Sequence, residues 1–154
     1  MMLRALLMSK KSNIRREEYI RRLSENNLLR ENANNLSFNF KFFHSGEKYG
    51  EKFEEWEQEA ILADLNNKLK NFSGKTKEDL LMNGTLEIYK HYPLGSRFEQ
   101  PKALKSLSIN WARLRITGRR RLIGFFMQED TSERFRNIFY IVFLDKEHKF
   151  APSS

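Results

Sequence analysis

Five arginines fall within the sixteen residues WARLRITGRRRLIGFF, positions 111–126. A guanidinium is permanently charged and presents planar donors that grip a phosphate or carboxylate two bonds at a time. A hairpin needs none of them to fold. If the stretch alternates as two strands joined at Gly118, Trp111, Arg113 and Arg115 share one face of the first strand, and Ala112, Leu114 and Ile116 the other. Arg119, Arg121 and Ile123 share a face of the second strand, with Arg120 and Leu122 behind them. Cross-strand neighbours then gather three or four guanidiniums on one surface, which costs stability unless anions screen them. Backbone phosphates would do so. The plainer alternative is a solvated face whose arginines lie over Trp111 and nearby phenylalanines.

His148 is the second residue whose type and place suit chemistry. It follows a strongly apolar run by a few residues, in FLDKEHKF, and so belongs at the exposed end of a strand near the arginine face. An imidazole with an ordinary pKa of about 6.5 serves as general acid or base near neutral pH; the alternative is an ordinary surface histidine. Asp145 and Glu147 beside it would raise its pKa, or be merely solvated. His44 and His91 fall in turns and receive no role.

The charge distribution points the same way. Residues 1–36 carry a balance of +4, residues 37–90 of −2 and residues 91–154 of +6, within a net +8. Between Glu99 and Glu129 stand seven basic residues and no acid, Lys102 and Lys105 among them. A zone of single sign is the footprint of a nucleic-acid partner or of an acidic protein. Cysteine is absent, which excludes disulfides, thiolate metal sites and cysteine nucleophiles. Three scattered histidines make a poor zinc set, and no metal or cofactor is expected.

The opening MMLRALLMSKK has too short an apolar run, and the wrong charge order, for a signal peptide. No stretch approaches the roughly 20 apolar residues that span a bilayer. A cytoplasmic protein is expected, with Met1, Met2 and Met8 all candidate starts. SGKTKEDLL contains Gly-Lys-Thr, but a phosphate-binding loop needs a glycine where Leu69 stands. Thr76 with Asp79 reads instead as an N-cap pair.

The elements that must position these residues follow from periodicity. Residues 12–32 form an amphipathic helix, and the polar 31–35 a linker, giving an N-terminal helical arm over 1–35 and a domain over 36–154. LSFNFKFF, 36–43, alternates as a strand. Residues 51–72 repeat at helical spacing through Phe53, Trp56, Ala60, Ile61, Leu65, Leu69 and Phe72, and a short helix follows Thr76. A short strand near Leu86–Tyr89 sits in an otherwise irregular, basic connection over 83–108. Strands at 111–117, 120–127 and 136–145 complete an antiparallel meander, the last apolar enough to be central. The fold class is α+β, with the first strand paired into the same sheet.

This order, the basic hairpin with glycine at its turn and the final strand ending in FYIVFLDKEHKF resemble the RelE/ParE superfamily, the small toxins of type II toxin–antitoxin systems. The resemblance covers roughly residues 36–150. It implies a RelE-like small sheet packed on helices, and a ribosome-dependent mRNA endonuclease in which a 2′-OH attacks the adjacent phosphate. It further implies that Arg113 and Arg121 stabilise the developing charge and that His148 acts as acid or base. Arg115 and Arg119, with Arg120, Lys102 and Lys105, would hold RNA, and an acidic antitoxin would be the protein partner. Phe150 stands where several members carry a tyrosine, the connection at 83–108 is longer than the compact pattern, and the arm is extra. ParE-type relatives inhibit DNA gyrase and cut nothing. A non-enzymatic module of the same fold, or an interaction protein whose N-terminal helix docks a partner, therefore stand as alternatives.

Overall fold

Apolar residues at both parities of the last strands demand cover on both faces of the sheet, and the chain folds to supply it. The structure, a computed structural model, describes residues 2–128 and 135–152. Its elements are α1 (Met2–Asn32), β1 (Ser37–Asn39), α2 (Phe53–Gln58), α3 (Leu62–Phe72), α4 (Lys77–Met82), β2 (Leu86–Ile88), a 3-10 turn (Lys102–Leu104), β3 (Ile109–Thr117), β4 (Arg120–Met127) and β5 (Ile138–Asp145). The protein is α+β. The chain divides into two compact units, one ending at Asn34 and one beginning at Asn35.

In the first unit α1 starts ten residues before the helix expected over 12–32 and runs on through Asn32. Leu, Met, Ala, Arg and Lys dominate its early turns, all strong helix formers, and nothing interrupts them. Its large apolar side chains, from Met2 and Leu3 to Leu23, are exposed. Among the described residues no helix is long and apolar enough to cross a membrane.

The second unit is an open mixed sheet in the order β1-β5-β4-β3-β2. β1 pairs in parallel with β5, Phe38 opposite Phe139, and the remaining neighbours are antiparallel. β5 therefore lies between two strands, as its apolar run requires. One face carries Ala112, Leu114, Leu122, Phe126 and Phe139, packed under Trp56, Leu65, Phe72 and Leu80 of the three helices. The other carries Trp111, Ile123, Phe125 and Phe143, covered by Phe98, Leu104 and Phe150. The irregular connection over 83–108 is thus a lid on a second, aromatic core. Each fully buried side chain of this kind stabilises by roughly 1.5–3 kcal/mol.

Gly124 lets the two cores coexist. A bulge on β5 places Gly124 opposite Ile141 where Ile123 opposes Phe143, leaving Val142 as the extra residue. The Val142 carbonyl is taken by the His44 N–H at 2.8 Å. A Cβ at Gly124 would strike the Tyr140 carbonyl and the Phe139 ring.

Two expectations from periodicity are corrected. The strand expected over 36–43 is only Ser37–Asn39. Asn39 Oδ1 accepts the Lys41 N–H at 2.8 Å and turns the chain. Phe42 then meets Phe125 and Tyr140, while Phe43 stacks on Phe53 with centroids 4.4 Å apart. The single helix expected over 51–72 is two, α2 and α3. Trp56 and Ile61 are both buried, yet five residues of continuous helix would set them about 140° apart. A Schellman turn re-aims the chain: the Ile61 N–H bonds the Trp56 carbonyl at 2.9 Å and the Ala60 N–H bonds that of Glu57 at 3.0 Å. Ala60 takes the left-handed position at φ 57°. α4 opens on the expected cap, the Thr76 hydroxyl and Asp79 carboxylate each accepting the other's backbone N–H at 3.2 Å.

An L side chain in that left-handed position is strained by about 1–2 kcal/mol, part of which glycine gives back as unfolded-chain entropy. Ala60→Gly should raise the unfolding free energy by about 0.5–1 kcal/mol, seen as a higher urea midpoint at unchanged slope.

Candidate functional site

The β3–β4 hairpin turns at Gly118, whose φ of 51° suits the tight connection. Arg115 stands directly opposite Arg121, and Arg113 opposite Ile123 on one side and Glu87 of β2 on the other. This face is the one that carries Trp111, so the arginines emerge at the edge of the aromatic core. They do not lie over Trp111: its ring is enclosed by Tyr92, Phe125, Phe143 and Phe150.

The guanidiniums are held differently. Arg113 Nη2 pairs with Glu87 Oε2 at 2.5 Å. Arg121 is only 6% exposed, and its Nη1 donates back to the carbonyls of Gly118 at 2.5 Å and Arg120 at 3.0 Å. Burial, then the charges of Arg115 and Arg113, draw its pKa down. Arg115 and Arg119 are exposed.

The end of β5 completes the site. Asp145 is 1% exposed, in register opposite Arg121. Its Oδ1 accepts the Lys149 N–H and its Oδ2 the Phe150 N–H, both at 2.9 Å. This pair of hydrogen bonds to the backbone curls 145–150 into a loop that sends Phe150 into the aromatic core and leaves His148 half-buried. His148 sits in a left-handed conformation at φ 61°. Its pKa lies below the ordinary value, first from burial, then from Arg121 and Arg113, with Asp145 pulling the other way. Of the two carboxylates beside it in sequence, Asp145 does favour the charged form, but burial and the cross-strand cations outweigh it. At neutral pH the imidazole is uncharged and able to accept a proton.

Arg113, Arg115, Arg121 and His148 thus come together at one end of the sheet, with Arg119 on the adjoining turn. Arg120 does not join them. It lies on the helix-bearing face, 3.8 Å from Glu59, which also binds Lys146 Nζ. Lys102 and Lys105 are exposed on and after the 3-10 turn. Two further residues were not legible in the sequence. Tyr89 has a buried hydroxyl with no hydrogen-bond partner, and its phenol is pushed up to about 12 by burial, against the pull of Arg113. Arg97 comes in from the connection over 83–108, its N–H bonded to the Lys149 carbonyl at 2.9 Å.

Among the described residues no group of three or more His, Asp or Glu gathers at metal-binding spacing. Comparison with protein-family models, with curated proteins and with solved structures found no match.

The depressed histidine has a sign that can be checked. Because His148 binds its proton more weakly folded than unfolded, its protonation opposes folding, and stability falls as pH drops below about 6.5 towards the folded value. An NMR titration should place the His148 midpoint below 6.5, and Arg121→Gln should move it upward, since removing a cation favours the imidazolium. A midpoint at or above 6.5 would contradict this electrostatic account.

Proposed function

We propose that the unit beginning at Asn35 is a RelE-like toxin, a ribosome-dependent endonuclease acting on mRNA, with an acidic antitoxin as its partner. One observation carries the reading: a half-buried imidazole shares a single end of the sheet with Arg121 and Arg113, which together with burial favour its neutral form. His148 accepts the proton of a ribose 2′-OH, and the 2′-oxygen attacks the adjacent phosphorus. The bond from phosphorus to the 5′-oxygen breaks, leaving a 2′,3′-cyclic phosphate, and the 5′-oxygen takes its proton from solvent. Arg121 and Arg113 stabilise the extra negative charge of the five-coordinate phosphorus, the larger share of catalysis in such reactions. Arg115 and Arg119 hold neighbouring phosphates, and Lys102 and Lys105 extend the basic surface. Arg120, turned towards Glu59, has no place in that contact.

Phe150, where the resemblance suggests a tyrosine, is fully buried. Proton transfer therefore rests on His148. Asparagine tolerates a left-handed backbone, so His148→Asn removes the base while sparing the loop.

Induced expression of the wild type should arrest growth and create new mRNA 5′ ends within reading frames. His148→Asn and Arg121→Gln should each lower cutting by about 10²–10⁴-fold without loss of soluble protein. Arrest with intact mRNA would transfer the weight to a gyrase-directed or other non-nuclease toxin.

A further inference from the structure

Beside the arginine cluster lies a depression of about 370 Å³, lined by Arg97, Arg119, Glu147, His148 and Pro152. Its three nitrogen-bearing side chains come from three separate segments: the β2–β3 connection, the hairpin turn and the loop after β5. Their frame is tied together by backbone bonds. Arg97 is anchored to Lys149, and Lys149 and Phe150 are anchored to Asp145. The same anchors hold His148 at a φ of 61°, a conformation that costs energy and persists only where the surroundings enforce it.

The charges in the depression are uneven. Among the described residues neither Arg97 nor Arg119 has a carboxylate within ion-pair distance, whereas Glu147 on the rim is engaged by Lys149 Nζ at 3.5 Å. Two exposed guanidiniums and an imidazole therefore point at one volume with a single carboxylate, already paired, at its edge. Guanidiniums presented from different directions suit a tetrahedral oxyanion whose oxygens point apart.

We propose that this depression is a phosphate-binding subsite, with Arg97 and Arg119 as its principal ligands and His148 on its floor. The phosphate is either a backbone phosphodiester next to the cleaved linkage or a free or terminal phosphate group. The first source rests on the nuclease reading above; the binding of phosphate itself does not. Occupancy has a built-in reporter. An anion beside His148 stabilises the imidazolium, against the burial and the cations Arg121, Arg113 and Arg119 that favour its neutral form, and alongside Asp145, which already favours the charged form. By linkage, the protonated protein then binds phosphate more tightly by the same factor.

The test is an NMR titration of His148 in the full chain at constant ionic strength. Inorganic phosphate is one probe, and a short all-deoxy oligonucleotide, uncleavable for want of a 2′-OH, is the other. Phosphate should shift the His148 resonance saturably and raise its midpoint by about one unit, a tenfold coupling. Arg97→Gln and Arg119→Gln alter exposed side chains and should keep the wild-type amide spectrum, yet weaken phosphate binding tenfold or more. Lys68→Gln, exposed on α3 and outside the basic face, should not. Tighter saturation by the oligonucleotide than by phosphate identifies the phosphodiester as the source. Saturation by phosphate alone identifies a free or terminal group. A shift that never saturates, or is unchanged in both arginine variants, overturns the subsite. Loss of mRNA cutting from the proposed function would leave these titrations untouched, and an active nuclease lacking them would refute the subsite alone.

Discussion

One buried carboxylate organises the functional end of this molecule. Asp145 closes β5, and both of its oxygens are consumed by the backbone of Lys149 and Phe150. An uncompensated carboxylate at that depth would be prohibitively costly, so the loop must form for the strand to end there. Once it forms, Phe150 is committed to the aromatic core, His148 is held half-buried at the surface, and the Lys149 carbonyl is presented to Arg97. The negative charge also lies opposite Arg121, offsetting part of the repulsion among the arginines. A single side chain thereby couples core packing, the position of the imidazole and the electrostatics of the basic face.

The two cores divide the labour of the sheet. The helices cover one face, where Leu114, Leu122 and Phe126 pack conventionally. The other face is covered by little regular structure: the segment between β1 and α2, the β2–β3 connection and the curled loop after β5, joined by interlocking aromatic rings. That choice has a spatial result. The cover stops short of the strand ends, and where it stops the arginines begin. The basic surface is what remains of a sheet face after the aromatic lid has been fitted.

Much of this was legible in the residues themselves. Strand parity alone put Arg113, Arg115 and Arg121 on one face, and Gly118 marked the turn. The break between α2 and α3 was missed, although the five-residue step from Trp56 to Ile61 lies outside a single helical stripe. The shortness of β1 was hidden because alternating phenylalanines satisfy a strand and a turn equally well, and Asn39 decided the matter through a local hydrogen bond. The second core was hidden because 83–108 has no period to read. Arg97 was hidden for a related reason: a backbone bond to Lys149, far away in sequence, brings it to the site. The direction of the His148 shift was not settled by its chain neighbours, because burial and cations across the sheet dominate.

The opposition of Arg115 and Arg121 across the hairpin carries one further consequence. Repulsion between paired strands loosens the ladder where it occurs, so the turn end of β3 and β4 opens more readily than it would without this pair. Amide exchange there should be governed by whatever anions are present. The basic end of the molecule would be most rigid when occupied, and breathe when empty.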